Sequence, residues 1–132
     1  MTDKPRYKRS RQRERILNLL RETDTHPTAV WIYDRLKPEF HNLSMGTVYR
    51  NLHILVEQGL VAKIACGSTF DRFDGNVKPH YHFFCEKCGS VLDLPLEVDE
   101  SINRKVDELT NFVTRSHKMD FFGLCDQCSS RL

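Results

Sequence analysis

An α+β fold in two parts is what this sequence predicts, and three observations carry that reading. Apolar residues recur at helical spacing through residue 58, in stretches preceded by residues that can cap a helix. Short alternating segments follow, first between residues 60 and 73 and again from residue 81. Two Cys-x-x-Cys pairs, Cys85/Cys88 and Cys125/Cys128, frame the C-terminal part.

From Ser10 to Arg21, Ile16, Leu17, Leu19 and Leu20 make one apolar stripe among Arg, Glu, Gln and Asn. His26-Pro27-Thr28 breaks the chain, and Thr28 can cap a second helix through Ala29, Val30, Ile32, Tyr33 and Leu36, stopping before Pro38. Ser44 is a good N-cap for a third helix that runs toward Gln58 and ends at Gly59. That helix turns Val48, Leu52, Leu55 and Val56 inward and leaves Thr47, Tyr49, Arg50 and Asn51 free to face out, as a recognition helix does toward a groove. Leu60 to Ala65 alternates like a strand, Gly67-Ser68 turns it, and Thr69 to Phe73 returns as a second strand. Three short helices and a hairpin make a winged helix-turn-helix that binds DNA. The competing reading is a small helical domain with an incidental hairpin.

Gly75 to Pro79 reads as a hinge, giving a DNA-binding domain over 1–74, a hinge over 75–79 and a second domain over 80–132. In the second domain Tyr81 to Cys85 and Ser90 to Leu94 suit two strands. Val98 to Leu109 suits a helix with Val98, Ile102, Val106 and Leu109 inward, and Phe112 to Leu124 a closing strand. These lone strands and Phe121-Phe122 need a cover, so the expectation is a small α/β zinc-containing dimerisation domain that forms a homodimer.

The charge changes sign at the same place. Residues 1–79 carry 14 Lys/Arg and 9 Asp/Glu, and residues 80–132 carry 6 and 9, so the overall +2 hides halves of +5 and −3. Seven Lys/Arg within the first 15 residues are a footprint for phosphate, or else a solvated tail. No apolar run approaches the roughly 18–20 residues of a membrane span, and the expectation is a soluble cytoplasmic protein.

In that compartment thiols stay reduced, and paired cysteines favour a metal over a redox disulfide. Two Cys-x-x-Cys turns complete the tetrahedral Cys₄ shell of a structural Zn²⁺. The 36 residues between them exceed the roughly 15–20 of a plain zinc ribbon, so the metal clasps a larger element. His80 and His82 stand at strand spacing and point to one side. With Asp74, Asp93 and His26 they offer three nitrogens and two carboxylates, a harder set suited to Fe²⁺, Mn²⁺ or Zn²⁺. A metal drawing ligands from both sides of the hinge would act as a switch. An enzyme is disfavoured. A zinc deaminase needs His-x-Glu with Pro-Cys-x-x-Cys, and here His82, not Glu, stands two after His80.

Several segments together resemble the ferric uptake regulator (Fur) family of metal-responsive repressors, over nearly the whole chain. They are His26-Pro27-Thr28-Ala29, Thr47-Val48-Tyr49-Arg50-Asn51-Leu52, Arg72-Phe73-Asp74, His80-Tyr81-His82-x-x-Cys85-x-x-Cys88-Gly89 and Cys125-x-x-Cys128. The resemblance implies a dimeric winged-helix repressor of an inverted-repeat operator, with Arg11, Ser44, Thr47, Tyr49 and Arg50 as candidate contacts to double-stranded DNA. It implies structural Zn²⁺ at the four paired cysteines and regulatory Fe²⁺ or Mn²⁺ at His26, Asp74, His80, His82 and Asp93. Asp93, where iron sensors of the family carry Glu, resembles the peroxide-sensing branch. There Fe²⁺ would reduce hydrogen peroxide, the one small-molecule signal, and the oxidant formed would convert His26 or His80 to 2-oxo-histidine and release DNA. The alternative is an iron- or zinc-availability sensor without that chemistry. Glu100 and His117 fall where a further metal site of iron sensors has ligands, but Pro79 and Tyr81 replace its others, so it is expected to be empty. Cys66 reads as a small apolar residue of the wing strand, and His41 and His53 as surface residues.

Overall fold

The computed structural model describes residues 7–66 and 70–130 and divides into two compact units, Met1–Lys78 and Pro79–Leu132. Lys4, Arg6, the Gly67-Ser68 turn and Thr69 lie outside the described residues.

The first unit holds α1 (Arg11–Glu22), α2 (Ala29–Leu36), α3 (Met45–Glu57), β1 (Ala62–Ile64) and β2 (Arg72–Asp74). Each helix starts where a hydroxyl meets an orphan backbone N–H. Ser10 accepts from Arg13 N–H at 3.2 Å, Thr28 from Trp31 N–H at 3.3 Å and Ser44 from Thr47 N–H at 3.1 Å. At the end of α3, Gly59 adopts φ 74, with Gly59 N–H donating to Val56 C=O and Leu60 N–H to Leu55 C=O, both at 3.0 Å. This is a Schellman stop, and only the glycine takes that backbone without steric cost. Ile16, Leu20, Ile32, Leu36, Val48 and Leu52 meet in a closed core that also takes in Val61 and Phe73 of the hairpin. β1 and β2 pair antiparallel, Lys63 opposite Phe73.

Three sequence expectations need correction in this unit. Asn51 faces in, buried, with its Oδ1 accepting from Arg13 Nη1 at 3.5 Å. Among the described residues the returning strand runs from Arg72 to Asp74, and just before it Asp71 Oδ1 accepts Cys66 N–H at 2.9 Å. Cys66 is therefore exposed beyond the strand and not a packed residue within it.

The second unit holds β3 (His82–Cys85), β4 (Val91–Asp93), α4 (Ser101–Leu109), β5 (Asp120–Gly123) and a one-turn α5 (Asp126–Ser129) that the sequence reading did not foresee. Its sheet order is β4-β3-β5, with β3 antiparallel to β4 and parallel to β5. α4 starts three residues later than expected, because Asp99 uses its carboxylate on Ser101 N–H (3.0 Å) and Oγ–H (2.5 Å) and holds the preceding chain as a turn. No residue of α4 is buried, and Leu109, expected inward, is 86% exposed. The closing strand is also shorter than expected. Phe112 N–H donates to Thr110 Oγ1 and Thr114 N–H to Asp107 Oδ1, so this stretch is tied back to α4 and pairs with β3 only from Asp120. Among the described residues no helix is long and apolar enough to cross a membrane.

Candidate metal centres

The Cys₄ cluster is built from two turns brought together by the parallel pairing of β3 with β5. Cys85 ends β3, and Gly89, at φ 76, lets the chain fold back so that Gly89 N–H reaches Cys85 C=O at 3.0 Å. Cys85 Sγ then accepts from Cys88 N–H at 3.5 Å and Cys125 N–H at 3.4 Å. Gly123, at the end of β5, leaves room for the Phe83 ring, which a Cβ would meet at 3.2 Å. The four thiols lie within 4.8 Å of one another, with Cys88 and Cys125 Sγ 3.8 Å apart. The backbone amides of Cys88 and Cys125 lower the Cys85 thiol to about 6, which favours its thiolate form. Ser90 lowers Cys88 as well, through a 3.1 Å contact, whereas burial pushes Cys128 up to about 12. Such a set has its charge favoured at one turn and keeps a buried thiol that releases its proton to water as the cation binds. This is a structural zinc site of Cys₄ type.

Harder donors occur in each unit separately. In the first, His26 is 2% exposed and has the left-handed φ of 54, costly for a residue with a side chain. The hairpin imposes it. Phe73 N–H donates to Pro27 C=O at 3.0 Å, and Arg72 Nη1 donates to His26 C=O at 3.0 Å. The imidazole is thereby set beside β2, its Nε2 3.2 Å from Asp74 Oδ2. The chain then passes close over α1 at Gly75, where a Cβ would lie 2.8 Å from the Leu20 carbonyl group.

In the second unit His80 and His82 do share a side, with ring centroids 4.5 Å apart. Residue 93 faces residue 82 across the β3–β4 ladder, so Asp93 Oδ1 reaches His80 Nε2 at 3.0 Å and His82 Nε2 at 3.4 Å. Nitrogen and carboxylate oxygen suit Fe²⁺ or Mn²⁺ better than the soft thiolates do. Glu100 is exposed at the start of α4, and His117 has Tyr81 and Asn103 on its two ring nitrogens. Neither belongs to a metal-capable cluster among the described residues.

On α3, Arg50 is exposed, Thr47 and Tyr49 are half-buried, and Ser44 lends its hydroxyl to the cap. Arg11 is exposed at the start of α1. Sequence reasoning missed Tyr7, whose hydroxyl donates to Glu57 Oε2 at 2.6 Å and links residue 7 to the last turn of α3. Nothing periodic marks that contact, because residue 7 precedes any regular element.

The model of the ferric uptake regulator family matches residues 4–122. The chain belongs to this family. It is 38% identical over 120 residues to the peroxide-responsive repressor PerR of Staphylococcus aureus strain USA300, a match covering 91% of this chain and 81% of that protein. The solved ferric uptake regulator Fur of Helicobacter pylori, with three functional metal-binding sites, aligns at TM-score 0.76 and 25% identity over 92% of this chain and 82% of its own. The Campylobacter jejuni peroxide stress regulator aligns at TM-score 0.72 and 27% identity, over 89% and 88%. The chain is thus a Fur-family metal-responsive repressor with a winged-helix part and a zinc-containing α/β part.

Proposed function

We propose that this chain is a peroxide-responsive repressor that binds an inverted-repeat operator as a homodimer while Fe²⁺ or Mn²⁺ is held by His26, Asp74, His80, His82 and Asp93. The observation that carries the reading is the shared carboxylate of Asp93 against two imidazoles, with a second imidazole–carboxylate pair, His26 and Asp74, in the other unit. Neither group alone fills the shell of a divalent cation. A metal that takes both binds one arrangement of the units better than others, and shifts the population toward it by that difference. Residues 75–79 are the hinge in this account, between domains at 1–74 and 80–132.

The peroxide reading rests on Asp at position 93 and on the similarity to the Staphylococcus aureus repressor. Fe²⁺ held there would supply the electrons that cleave peroxide. His26 and His80 are the imidazoles that take the oxygen, and an oxidised ring no longer offers its nitrogen to the metal. Losing one donor loosens the link between the units, and the operator is released. At the DNA surface, Arg50 and Tyr49 of α3 face the groove with Thr47 and Ser44 at the helix start, while Arg11 meets phosphate. Operator affinity falls steeply with salt as those cations release counterions.

Anaerobic loading with Fe²⁺, exposure to hydrogen peroxide, and mass analysis of the peptides containing His26 and His80 test the chemistry. One added oxygen atom on either, in step with loss of operator binding, is expected. Complete loss of DNA binding with both peptides unmodified would leave an iron- or zinc-availability sensor instead.

A further inference from the structure

Between the two ligand histidines stands Tyr81, on the other side of the strand and 3% exposed. A buried hydroxyl needs partners, and this one has two. It accepts from Asp99 N–H at 2.8 Å and lies 2.7 Å from His117 Nε2. His117 Nδ1 lies 2.7 Å from Asn103 Oδ1, which can only accept. Every proton finds an acceptor in one arrangement: Tyr81 donates to Nε2, and the imidazole carries its own proton on Nδ1 and gives it to Asn103. The backbone of Tyr81 is engaged as well, its carbonyl accepting from Leu94 N–H at 3.0 Å, next to Asp93. One residue therefore ties together the stretch from His80 into His82 at the start of β3, the end of β4 behind Asp93, the approach to α4 at Asp99, and the segment before β5.

We infer that Tyr81 and His117 are positioning residues of the regulatory metal site, a buried relay that holds His80, His82 and Asp93 at the spacing a cation needs, and that His117 is not itself a ligand. The inference rests on the assignment of that metal to these three donors. Losing a hydrogen bond made directly to a metal ligand typically weakens metal binding about 10–100-fold, and the Tyr81 bonds act one step removed, through the backbone that joins His80 to His82, so the low end of that range is expected.

Tyr81→Phe removes both hydroxyl bonds and keeps the ring and the carbonyl bond. His117→Gln keeps an acceptor for Tyr81 and gives up the Asn103 contact. Both are tested in the full-length zinc-loaded protein by titration with Mn²⁺, beside His80→Ala, with zinc content and circular dichroism measured on each. Tyr81→Phe is expected to weaken Mn²⁺ about tenfold with zinc and helix content unchanged, and His117→Gln to fall between it and the parent. Imidazole ¹⁵N spectra of the protein carrying zinc alone are expected to show His117 protonated on Nδ1, and to lose that single tautomer in Tyr81→Phe.

Mn²⁺ affinities of both variants within about twofold of the parent, while His80→Ala abolishes binding, would overturn the relay. So would a parent His117 protonated on Nε2. If His80→Ala leaves Mn²⁺ binding intact, the metal assignment fails instead, and the ¹⁵N spectra still decide the relay. Should Tyr81→Phe not fold, His117→Gln and those spectra carry the test.

Discussion

The two units reach stability by different routes. The first has three helices capped by Ser10, Thr28 and Ser44 around a core in which Ile16, Ile32 and Val48 are wholly buried. In the second, α4 has no side-chain cap and no buried residue, the strands are three or four residues long, and the cysteines fill the buried positions at one end. A unit of that size buries little apolar surface by itself, and the Cys₄ metal site does there part of what a core does elsewhere. Val106, Leu109, Phe112, Val113 and Phe122 are exposed, and in the homodimer proposed above they are apolar residues a second copy would cover.

Stripping zinc should separate the units most sharply. Structural zinc carries an apparent binding free energy of about 10–16 kcal/mol at neutral pH, so a chelator or Cys125→Ser should unfold residues 79–132. Amide exchange would show the first unit still protected. The opposite break is Leu52→Ala, which opens the first core at a cost of about 2–5 kcal/mol and leaves zinc content unchanged, as thermal unfolding and metal analysis would record. Phe122→Ser and Leu109→Ser should each weaken self-association by about 2 kcal/mol in analytical ultracentrifugation, with the monomer retaining zinc.

Zinc affinity should also report the Cys85 thiolate. Because its folded pKa is lowered to about 6, no proton competes for that thiol above this value, and one does below it. Zinc binding should therefore depend on pH one proton more steeply below about 6 than above, about 1.4 kcal/mol per unit, as competition with a chromophoric chelator would show. The smallest effect is Ser44→Ala, which removes one cap and costs about 1 kcal/mol in thermal unfolding of the first unit.

The same contrast explains what the sequence made legible. The first unit was readable because its helices announce themselves three times over, in period, cap and stop, and local signals agree with the packing. Its errors were polar: Asn51 reads as a surface residue until Arg13 is seen beside it, 38 positions away. The Cys₄ set was legible from spacing alone, and so was the shared side of His80 and His82. The second unit resisted reading because side-chain bonds from Asp99, Thr110 and Asp107 to the backbone decide where α4 and β5 begin. Its apolar helix face also has no fully buried residue. The role of Tyr81 was hidden for a related reason, since its partners Asp99, Asn103 and His117 are remote in sequence and follow no period.

The central claim is that the second metal, and not the zinc, controls the affinity for DNA. Operator sequences selected from a random duplex library with Mn²⁺-loaded protein would be titrated at one salt concentration with two preparations, one carrying zinc alone and one carrying zinc and Mn²⁺. The account predicts that Mn²⁺ tightens binding by about 5–150-fold, the usual range of coupling between sites, and that His80→Ala removes the difference. Equal affinity of the two preparations would contradict it.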